Sequence, residues 1–282
     1  MSKRHRGERK PYTRVYIEIT NSCNMSCSFC PGHKREARKM TYEEFNLVLE
    51  KLSPLTDYIY MHLMGEPTTH PEILEFISLA LSLGFKPMIT TNGTRLKIIG
   101  EPLSASGLYK VNISLHSFEK NDKEGQIKYL NECCDFADLA TKNSTLVTLR
   151  LWNGGAGEDN SATLEFLRTR YVEWVQNRSG YKLSDRLYLD FADRFSWPDG
   201  EGECLGSEVF CYGLSDHFGI LSDGTVVPCC LDKDGEINLG NAFTEDLREI
   251  LKSERAVKIL EGFRNRRASE ALCQRCPYAR RF

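Results

Sequence analysis

Hydrophobic runs with strand spacing alternate with helix-like segments along the first two thirds of the chain. Six short segments rich in β-branched and aromatic residues predict strands. They cover residues 14–19, 58–64, 86–91, 110–116, 145–152 and 186–191. Helical patterns lie between them, and three of these are well defined. Such alternation indicates an α/β fold with a parallel sheet, either open or curled into part of a barrel.

The helix boundaries carry recognisable signals. Thr41 followed by Glu44 forms a capping box that opens a helix over residues 42–52. The segment "PEILEFISLALSLG" begins with a proline in its first turn and is predicted to end at Gly84. Ser161 is predicted to cap a third helix, which runs to about Gly180.

Composition and charge narrow the choice of partner. The net charge of the 282 residues is only −2, so no overall field attracts nucleic acid or an anionic membrane. Residues 1–10 and 264–282 are basic, and we interpret them as solvated ends rather than a binding patch. No apolar run is long enough to cross a bilayer, and no signal peptide opens the chain. The sequence therefore predicts a cytoplasmic protein without a membrane partner.

Eleven cysteines in a reducing compartment indicate metal ligands, catalytic groups or small core residues. Cys23, Cys27 and Cys30 directly follow the first predicted strand, at the edge of a parallel sheet where ligands bind. A structural zinc site needs four ligands. Three thiolates on a 4Fe–4S cluster leave one iron open for chemistry. Zinc with His33 as fourth ligand remains the alternative.

After residue 195 the alternating pattern ends, which predicts a domain of residues 1–195 followed by one of residues 196–282. The second segment is short and poor in apolar surface, so a metal centre would supply missing stability. Asp223-Gly224 between apolar runs predicts a β-hairpin. Six cysteines lie in this segment: Cys204, Cys211, Cys229, Cys230, Cys273 and Cys276.

The first three cysteines, with Phe29 before the last of them, resemble the C-x3-C-x2-C motif of the radical S-adenosylmethionine (SAM) superfamily. The resemblance implies a partial (β/α)6 TIM-like barrel. It also implies that Cys23, Cys27 and Cys30 hold a 4Fe–4S cluster whose open iron is chelated by SAM. Reduction would then split SAM and produce a 5′-deoxyadenosyl radical that takes a hydrogen atom from a substrate.

Later segments resemble the same superfamily in the same order. "MGEP" resembles its G-G-E-P motif, with Met64 as a departure, and implies contacts to the SAM ammonium group. "TTNGT" follows the third predicted strand, Ser114 stands where relatives contact the ribose, and Arg150 is predicted to pair with the SAM carboxylate. The SAM-binding residues implied are Phe29, Gly65, Glu66, Pro67, Thr91, Asn92, Ser114 and Arg150.

The C-terminal segment resembles SPASM and twitch extensions, whose pattern begins C-x(9–15)-G-x4-C. This resemblance implies a small α+β domain of the shorter twitch form, a β-hairpin plus helix, with one auxiliary 4Fe–4S cluster. Zinc bound by the same thiolates is the alternative. The implied ligands are Cys211, Cys229, Cys273 and Cys276.

The other cysteines have less specific surroundings. Cys133 and Cys134 lie in a helical pattern and are predicted to be core residues. Cys204 and Cys230 are candidate catalytic residues, because some relatives use a free thiol to return a hydrogen atom to a substrate radical. A packing role is the favoured alternative for both. The basic loop of residues 32–39 would attract an anionic substrate if it overhung the site, and solvation explains it equally well.

These features predict a radical SAM enzyme acting on a small sugar-like or aminocyclitol-like molecule or on a peptide. Oxidation, cross-linking and epimerisation are the expected outcomes, with help from the auxiliary cluster and from a reducing partner such as flavodoxin or ferredoxin. One alternative is an RNA-modifying radical SAM enzyme, although the near-neutral charge gives little phosphate attraction. The other is a non-enzymatic, zinc-stabilised binding protein.

Overall fold

Ten strands of the described chain form one sheet around a block of parallel strands. The computed structural model describes residues 10–119, 122–155, 157 and 159–281. The order across the sheet is β10-β9-β1-β2-β3-β4-β5-β8-β7-β6, with hairpins at both edges. The strands are β1 (Arg14–Ile17), β2 (Tyr58–Tyr60), β3 (Lys86–Thr91), β4 (Lys110–Ser114), β5 (Leu146–Gly154), β6 (Val175–Gln176), β7 (Gly180–Ser184), β8 (Leu187–Asp193), β9 (His217–Ile220) and β10 (Val226–Val227).

The helices connect the parallel strands in the expected way. They are α1 (Tyr42–Leu52), α2 (Ile73–Ser82), α3 (Leu96–Ser104), α4 (Lys123–Lys142), α5 (Ser161–Arg170), α6 (Leu247–Leu251), α7 (Glu254–Arg264) and α8 (Ala271–Gln274). Helices α1 to α5 follow β1 to β5 in turn, and β8 is the sixth parallel strand. The predicted partial (β/α)6 barrel with a small α+β segment at its end is therefore confirmed. In the described residues, no helix is both long and apolar enough to cross a membrane.

Several predicted boundaries are confirmed by local contacts. Helix α1 begins with the full capping box of Thr41 and Glu44. Gly84 has φ +82 just after the end of α2, as a left-handed C-terminal residue requires. The Asp223-Gly224 turn joins β9 to β10, and Gly224 has φ +87. The proline of "PEIL" lies before the cap residue of α2 rather than in its first turn.

The third predicted helix is wrong in its second half. Asn160 is the cap residue and α5 ends at Arg170, ten residues before the predicted end. The following segment contains β6 and β7 instead. The side chain of Asn177 accepts hydrogen bonds from the backbone N–H groups of Ser179 and Gly180, at 3.0 and 2.9 Å. This turn folds β7 back on β6 as a hairpin, and a second turn at residues 185–186 brings β8 back alongside β7.

The C-terminal segment shares the sheet of the barrel. Strand β9 pairs in parallel with β1, with Val15 opposite Phe218 and Ile17 opposite Ile220. All four side chains are fully buried. A division at residue 195 stays a prediction, since the hydrophobic core continues across it. Cys133 and Cys134 are fully buried on α4, which confirms their assignment to the core.

Glu18 connects three segments just beyond β1. Its side chain is fully buried and pairs with Arg35 at 2.6 Å. It also accepts hydrogen bonds from the backbone N–H of Met64 at 3.2 Å. The backbone and hydroxyl groups of Ser222 donate to it at 3.2 and 2.9 Å. One carboxylate therefore joins the loop after β1, the loop after β2 and the turn after β9.

Gly65 allows the loop after β2 to approach the segment before Cys23. Its φ is +74, and a Cβ atom there would lie 2.4 Å from the carbonyl oxygen of Thr20 and 2.7 Å from the carbonyl carbon of Asn21. The N–H of Glu66 donates to the carbonyl oxygen of Ser22 at 2.9 Å. This contact fixes the height of the cysteine loop above the sheet.

We predict that Glu18→Gln lowers the free energy of unfolding by about 3 kcal/mol, because the mostly buried Arg35 would lose its counter-charge. Chemical denaturation of the iron-reconstituted protein measures the change. Glu249→Gln is the control. It removes an exposed pair with Lys252 and should cost no more than about 0.5 kcal/mol. Equal losses in the two variants would contradict the prediction.

We predict that Gly65→Ala lowers the melting temperature more than Gly84→Ala does. Both glycines have positive φ, so both variants carry the left-handed strain of about 1–2 kcal/mol. Only position 65 adds a backbone clash, since nothing lies within 4 Å of a Cβ at Gly84. Thermal unfolding of the reconstituted variants, compared side by side, tests this. A similar decrease at both positions would show that the close approach is unimportant.

Candidate active site

The first three cysteines lie in one loop after β1. Cys23 and Cys30 are exposed and Cys27 is half-buried, and all three are free thiols. The backbone N–H of Cys30 donates to the carbonyl oxygen of Cys27 at 3.0 Å, which tightens the loop. Burial raises the pKa of Cys23, and raises that of Cys27 to about 11. Three neighbouring thiols on one tight loop fit a cluster that keeps one iron open.

Two loops form the base of this cysteine loop. The side-chain amide of Asn92 donates to Asn24 at 3.0 Å and lies 3.9 Å from the sulfur of Cys23. Asn24 in turn donates to the hydroxyl of Thr94 at 2.8 Å. The predicted residue Asn92 therefore contacts the cysteine loop, and Thr91 directly precedes it at the end of β3.

The side-chain carboxylate of Glu66 is positioned by hydrogen bonds from neighbouring residues. It is 2% exposed and accepts from the backbone and hydroxyl of Thr68 at 3.1 and 2.7 Å. The Thr91 hydroxyl and the Asn92 backbone N–H donate at 2.7 Å each. Burial raises the pKa of this carboxyl, while the hydrogen bonds oppose the rise. Glu66 joins the loops after β2 and β3, and its Oε2 atom, with one of these bonds, has acceptor capacity for the predicted ammonium contact.

Phe29 borders a separate cavity of about 340 Å³. Its ring centroid lies 5.0 Å from that of His116, and the guanidinium of Arg194 lies 5.7 Å from the Phe29 ring. Trp152 lines this cavity and also the larger one described below. We call the 340 Å³ cavity the Phe29 pocket. Its aromatic wall suits a bound base, as predicted for Phe29.

Ser114 and Arg150 are neighbours across β4 and β5. They are paired in the sheet register, yet Ser114 lines neither cavity. His116 lies just after β4, and its Nδ1 atom is 3.1 Å from the Arg150 carbonyl oxygen and 3.3 Å from the Trp152 backbone nitrogen. Burial lowers the pKa of His116, which favours the neutral imidazole.

The auxiliary cysteines come from three distant segments. Cys211 precedes β9, Cys229 follows β10, and Cys273 and Cys276 lie in and after α8. All four line one interior cavity of about 470 Å³. Burial raises the pKa of each of them, with further increases for Cys211, Cys229 and Cys273 from neighbouring cysteines. Four adjacent free thiols fit a fully ligated cluster.

The two candidate hydrogen-atom donors lie in different surroundings. Cys204 is exposed and does not line the interior cavity. Cys230 lines that cavity, and its sulfur interacts with the hydroxyl of Tyr16. Burial raises the pKa of Cys230 to about 11, so its thiol keeps its proton at neutral pH.

Alternate residues of the barrel strands form the rest of the interior cavity. Val15 and Ile17 of β1 are buried in the core, whereas Arg14 and Tyr16 line the cavity. Tyr60 stacks on Tyr16 with ring centroids 5.1 Å apart. The sequence contained the signal, since period-two alternation places Arg14 and Tyr16 on one face. These residues were not among the predicted site residues.

Two histidines in the cavity are held neutral. Burial lowers the pKa of His62 to about 3, with a smaller contribution from Arg150. Its Nδ1 accepts a hydrogen bond from the Thr90 backbone at 3.1 Å. Burial also lowers the pKa of His217. Both imidazoles are therefore polar contacts without charge at neutral pH.

The basic loop of residues 32–39 is hydrogen bonded to the C-terminal segment. The Lys34 backbone N–H donates to Asp234 at 2.7 Å, and Arg35 donates to the Lys233 carbonyl at 2.8 Å. Arg38 pairs with Glu44 at 2.6 Å. Its guanidinium also donates to the carbonyl of Ser222. These contacts connect two parts of the protein, and they do not support an overhanging loop that attracts anions.

Neither cysteine group has the geometry of a single-ion site. Among the described residues, no three His, Cys, Asp or Glu side chains are arranged to hold one metal ion. An iron–sulfur cluster differs, because each thiolate binds a different iron. His33, the proposed fourth zinc ligand, has its Nε2 atom 2.9 Å from the Asn21 carbonyl oxygen.

Family comparisons match both halves of the chain. The radical SAM superfamily model matches residues 17–146. The SPASM model, described as an iron–sulfur cluster-binding domain, matches residues 211–277. Together they cover both cysteine groups.

Relatives extend this similarity along the chain. A probable GTP 3′,8-cyclase of Methanothermobacter marburgensis is 32% identical over 87% of this chain and 94% of its own length. A probable GTP 3′,8-cyclase of Thermococcus kodakarensis is 35% identical, but over only 39% of this chain and 37% of its own length.

Solved structures show the same fold at low sequence identity. BtrN in complex with AdoMet and 2-DOIA has a TM-score of 0.56 and 18% identity, covering 95% of this chain and 94% of that one. The AdoMet-bound anSMEcpe structure has a TM-score of 0.63 and 14% identity, covering 90% and 81%.

The zinc-stabilised, non-enzymatic alternative is therefore wrong. The two cysteine groups of this chain lie in the regions matched by the radical SAM and SPASM models, and the cofactors of those families are iron–sulfur clusters and SAM. This chain belongs to the radical SAM superfamily, and it is a radical SAM enzyme with a C-terminal SPASM domain.

Proposed function

We propose that the enzyme abstracts a hydrogen atom from a small molecule or peptide bound in the interior cavity. One observation carries this proposal: Tyr16 and Trp152 of the barrel line the same cavity as Cys229 and Cys273 of the auxiliary group. When bound, SAM and its cluster supply a 5′-deoxyadenosyl radical, and the auxiliary cluster supplies a site for a second electron. A substrate in this cavity lies between the barrel interior and the auxiliary ligands.

The cavity walls favour radical chemistry by presenting aromatic rings to the substrate and by limiting proton exchange. Tyr16, Tyr60 and His62 form a cluster of rings with centroids 5.1 to 6.0 Å apart. His62 cannot act as an acid, because its pKa is far below neutrality. The charge of Arg14 is balanced by Asp216 at 2.8 Å. These rings would orient the substrate through apolar and stacking contacts.

SAM is proposed to span the cysteine loop and the Phe29 pocket. Cys23, Cys27 and Cys30 would hold its cluster, with Gly65, Glu66, Pro67, Thr91 and Asn92 beneath that loop. The adenosine would lie in the Phe29 pocket, whose wall includes His116 and Trp152. Since Trp152 also lines the interior cavity, the two sites share one wall.

Cys230 is the better placed of the two candidate donors. A thiol that keeps its proton inside the cavity can return a hydrogen atom to a substrate radical, and epimerisation would result. Cys204 is exposed and lies outside that cavity.

The proposal also includes a reducing partner, such as flavodoxin or ferredoxin, and a cytoplasmic location.

A second candidate is ring closure within a purine nucleotide. It is favoured by the relative from Methanothermobacter marburgensis, which is named a probable GTP 3′,8-cyclase and matches over most of both chains.

The RNA-modification alternative gains no support from the basic residues near the C-terminus. Arg275, Arg280 and Arg281 are bonded to backbone carbonyls of residues 193–208. Residues 1–9 of the other basic end lie outside the described chain.

We predict that anaerobically reconstituted protein binds about eight irons and cleaves SAM under strong reductant. Cys27→Ala should lose about half of the iron and all SAM cleavage, because it removes a ligand of the SAM-binding cluster. Cys273→Ala should also lose about half of the iron and still cleave SAM. Cys204→Ala is the control that should change neither quantity. Iron assay and chromatography of 5′-deoxyadenosine give the readouts, and intact SAM with the unaltered protein would refute the function.

We predict that the reaction class can be read from product mass in deuterated buffer. An aminocyclitol that loses two hydrogens indicates dehydrogenation, and uptake of one carbon-bound deuterium indicates epimerisation. Cys230→Ala should abolish that uptake without affecting SAM cleavage. GTP converted to an isomer of equal mass would favour the ring-closure candidate. Absence of any product from both compounds would contradict these substrate classes.

A further inference from the structure

Arg150 is the unusual charge in the interior cavity. It lies on β5, lines the cavity, and has a buried Nε atom to which none of the described residues is hydrogen bonded. Its one hydrogen bond to a side chain joins Nη1 to the hydroxyl of Thr90 at 3.5 Å, the long limit for such a contact. The same hydroxyl already accepts from the Asn112 amide at 3.2 Å. The guanidinium is therefore poorly satisfied by its own chain.

No carboxylate of the described residues pairs with Arg150 within 4.0 Å, and Asp190, opposite it in the sheet register, attracts it only from a longer distance. The Trp152 ring, 4.1 Å from its guanidinium carbon, provides a cation–π contact. Burial of a guanidinium without a counter-charge is costly. Burial accordingly lowers the pKa of Arg150. A ligand that brings a negative charge would remove this cost.

The other charged groups of the cavity have partners among the described residues, although the Nε atom of Arg14 shares the lack of a hydrogen bond. Arg14 pairs with Asp216 at 2.8 Å. Asp232 accepts from the backbone N–H groups of Glu236 and Ile237 at 2.9 Å each. With His62 and His217 neutral, Arg150 is the cation of the cavity lining that no carboxylate of the described residues pairs within 4.0 Å.

We infer that Arg150 binds an oxyanion of the substrate, a carboxylate or a phosphate, while the aromatic walls hold an adjacent ring or apolar group. This inference rests on the proposed function and specifies its substrate class. A guanidinium binds such groups through paired, charge-assisted hydrogen bonds. The unpartnered Nε and one Nη atom supply the parallel donors for that geometry.

This assignment competes with the predicted contact between Arg150 and the SAM carboxylate. The cavity lined by Arg150 contains the auxiliary cysteines, whereas Cys23, Cys27 and Cys30 do not line it. Glu66 and Asn92, at the base of the first cysteine loop, do not line it either. The position of Arg150 therefore favours the substrate over SAM.

The test measures binding to anaerobically reconstituted protein by equilibrium dialysis. GTP against guanosine probes a phosphate, and 3-phenylpropionate against 3-phenylpropan-1-ol probes a carboxylate. At least one anionic member should bind about tenfold to hundredfold more tightly than its neutral partner. Arg150→Gln should abolish this preference and leave the SAM dissociation constant unchanged, which also shows that the variant folds.

Arg168→Gln is the matched control, because Arg168 also lies 4.1 Å from a tryptophan ring, that of Trp174, but outside the interior cavity. It should keep the anion preference. The inference is overturned by weaker SAM binding in Arg150→Gln, by a preference that survives in that variant, or by no preference for either anion. Failure of the unaltered protein to cleave SAM would instead refute the proposed function.

Discussion

Strand β1 is the element on which both cysteine groups depend. One side of β1 pairs with β2, which leads to the loop under the SAM-binding cysteines, and the other side pairs with β9 of the auxiliary segment. Just beyond its end, the buried carboxylate of Glu18 binds Arg35, the Met64 backbone and Ser222. The partners of a buried charge can move little, because a lost contact leaves the desolvation free energy of that charge uncompensated. The relative position of the two groups is thus fixed by one strand and one carboxylate.

One face of the parallel strands packs in the hydrophobic core, and the other face lines the cavity. Val15 and Ile17 pack in the core, while Arg14 and Tyr16 between them line the cavity. The cavity is aromatic, its histidines are neutral, and Arg150 holds its unmatched charge. A low dielectric strengthens any electrostatic contact made there. If the substrate binds in this cavity as proposed, its selection depends on a few cavity side chains rather than on the surface loops.

Local signals in the sequence predicted local structure well and long-range contacts poorly. The Thr41 capping box, the left-handed Gly84 and the Asp223-Gly224 hairpin each depend on neighbouring residues, and each was predictable. The segment after Arg170 was predicted as helix because its apolar residues, at positions 171, 172, 174 and 175, have helical spacing. Its turn at Asn177 and its pairing with β8 decided for a hairpin.

The contacts of the candidate site show the same limit. The two cysteine motifs were visible as spacing, and the family comparisons match both regions. The bonding of Glu66 to Thr91 and Asn92 was not visible, because these residues are 25 and 26 positions apart in the chain. The basic loop was equally ambiguous, since its charge pattern does not show that Asp234 and Glu18 bind it.

The cysteine groups also differ in what holds them together. The three cysteines proposed to hold the SAM-binding cluster come from eight consecutive residues, and Gly65 and Asn92 position their loop from below. The auxiliary cysteines come from segments between residues 211 and 276, and burial disfavours their thiolate forms. Bringing such distant ligands together costs chain entropy, and a bound cluster repays it by joining the segments. If these four cysteines hold the auxiliary cluster as proposed, that cluster stabilises the C-terminal segment, whereas the barrel itself preorganises the first cysteine loop.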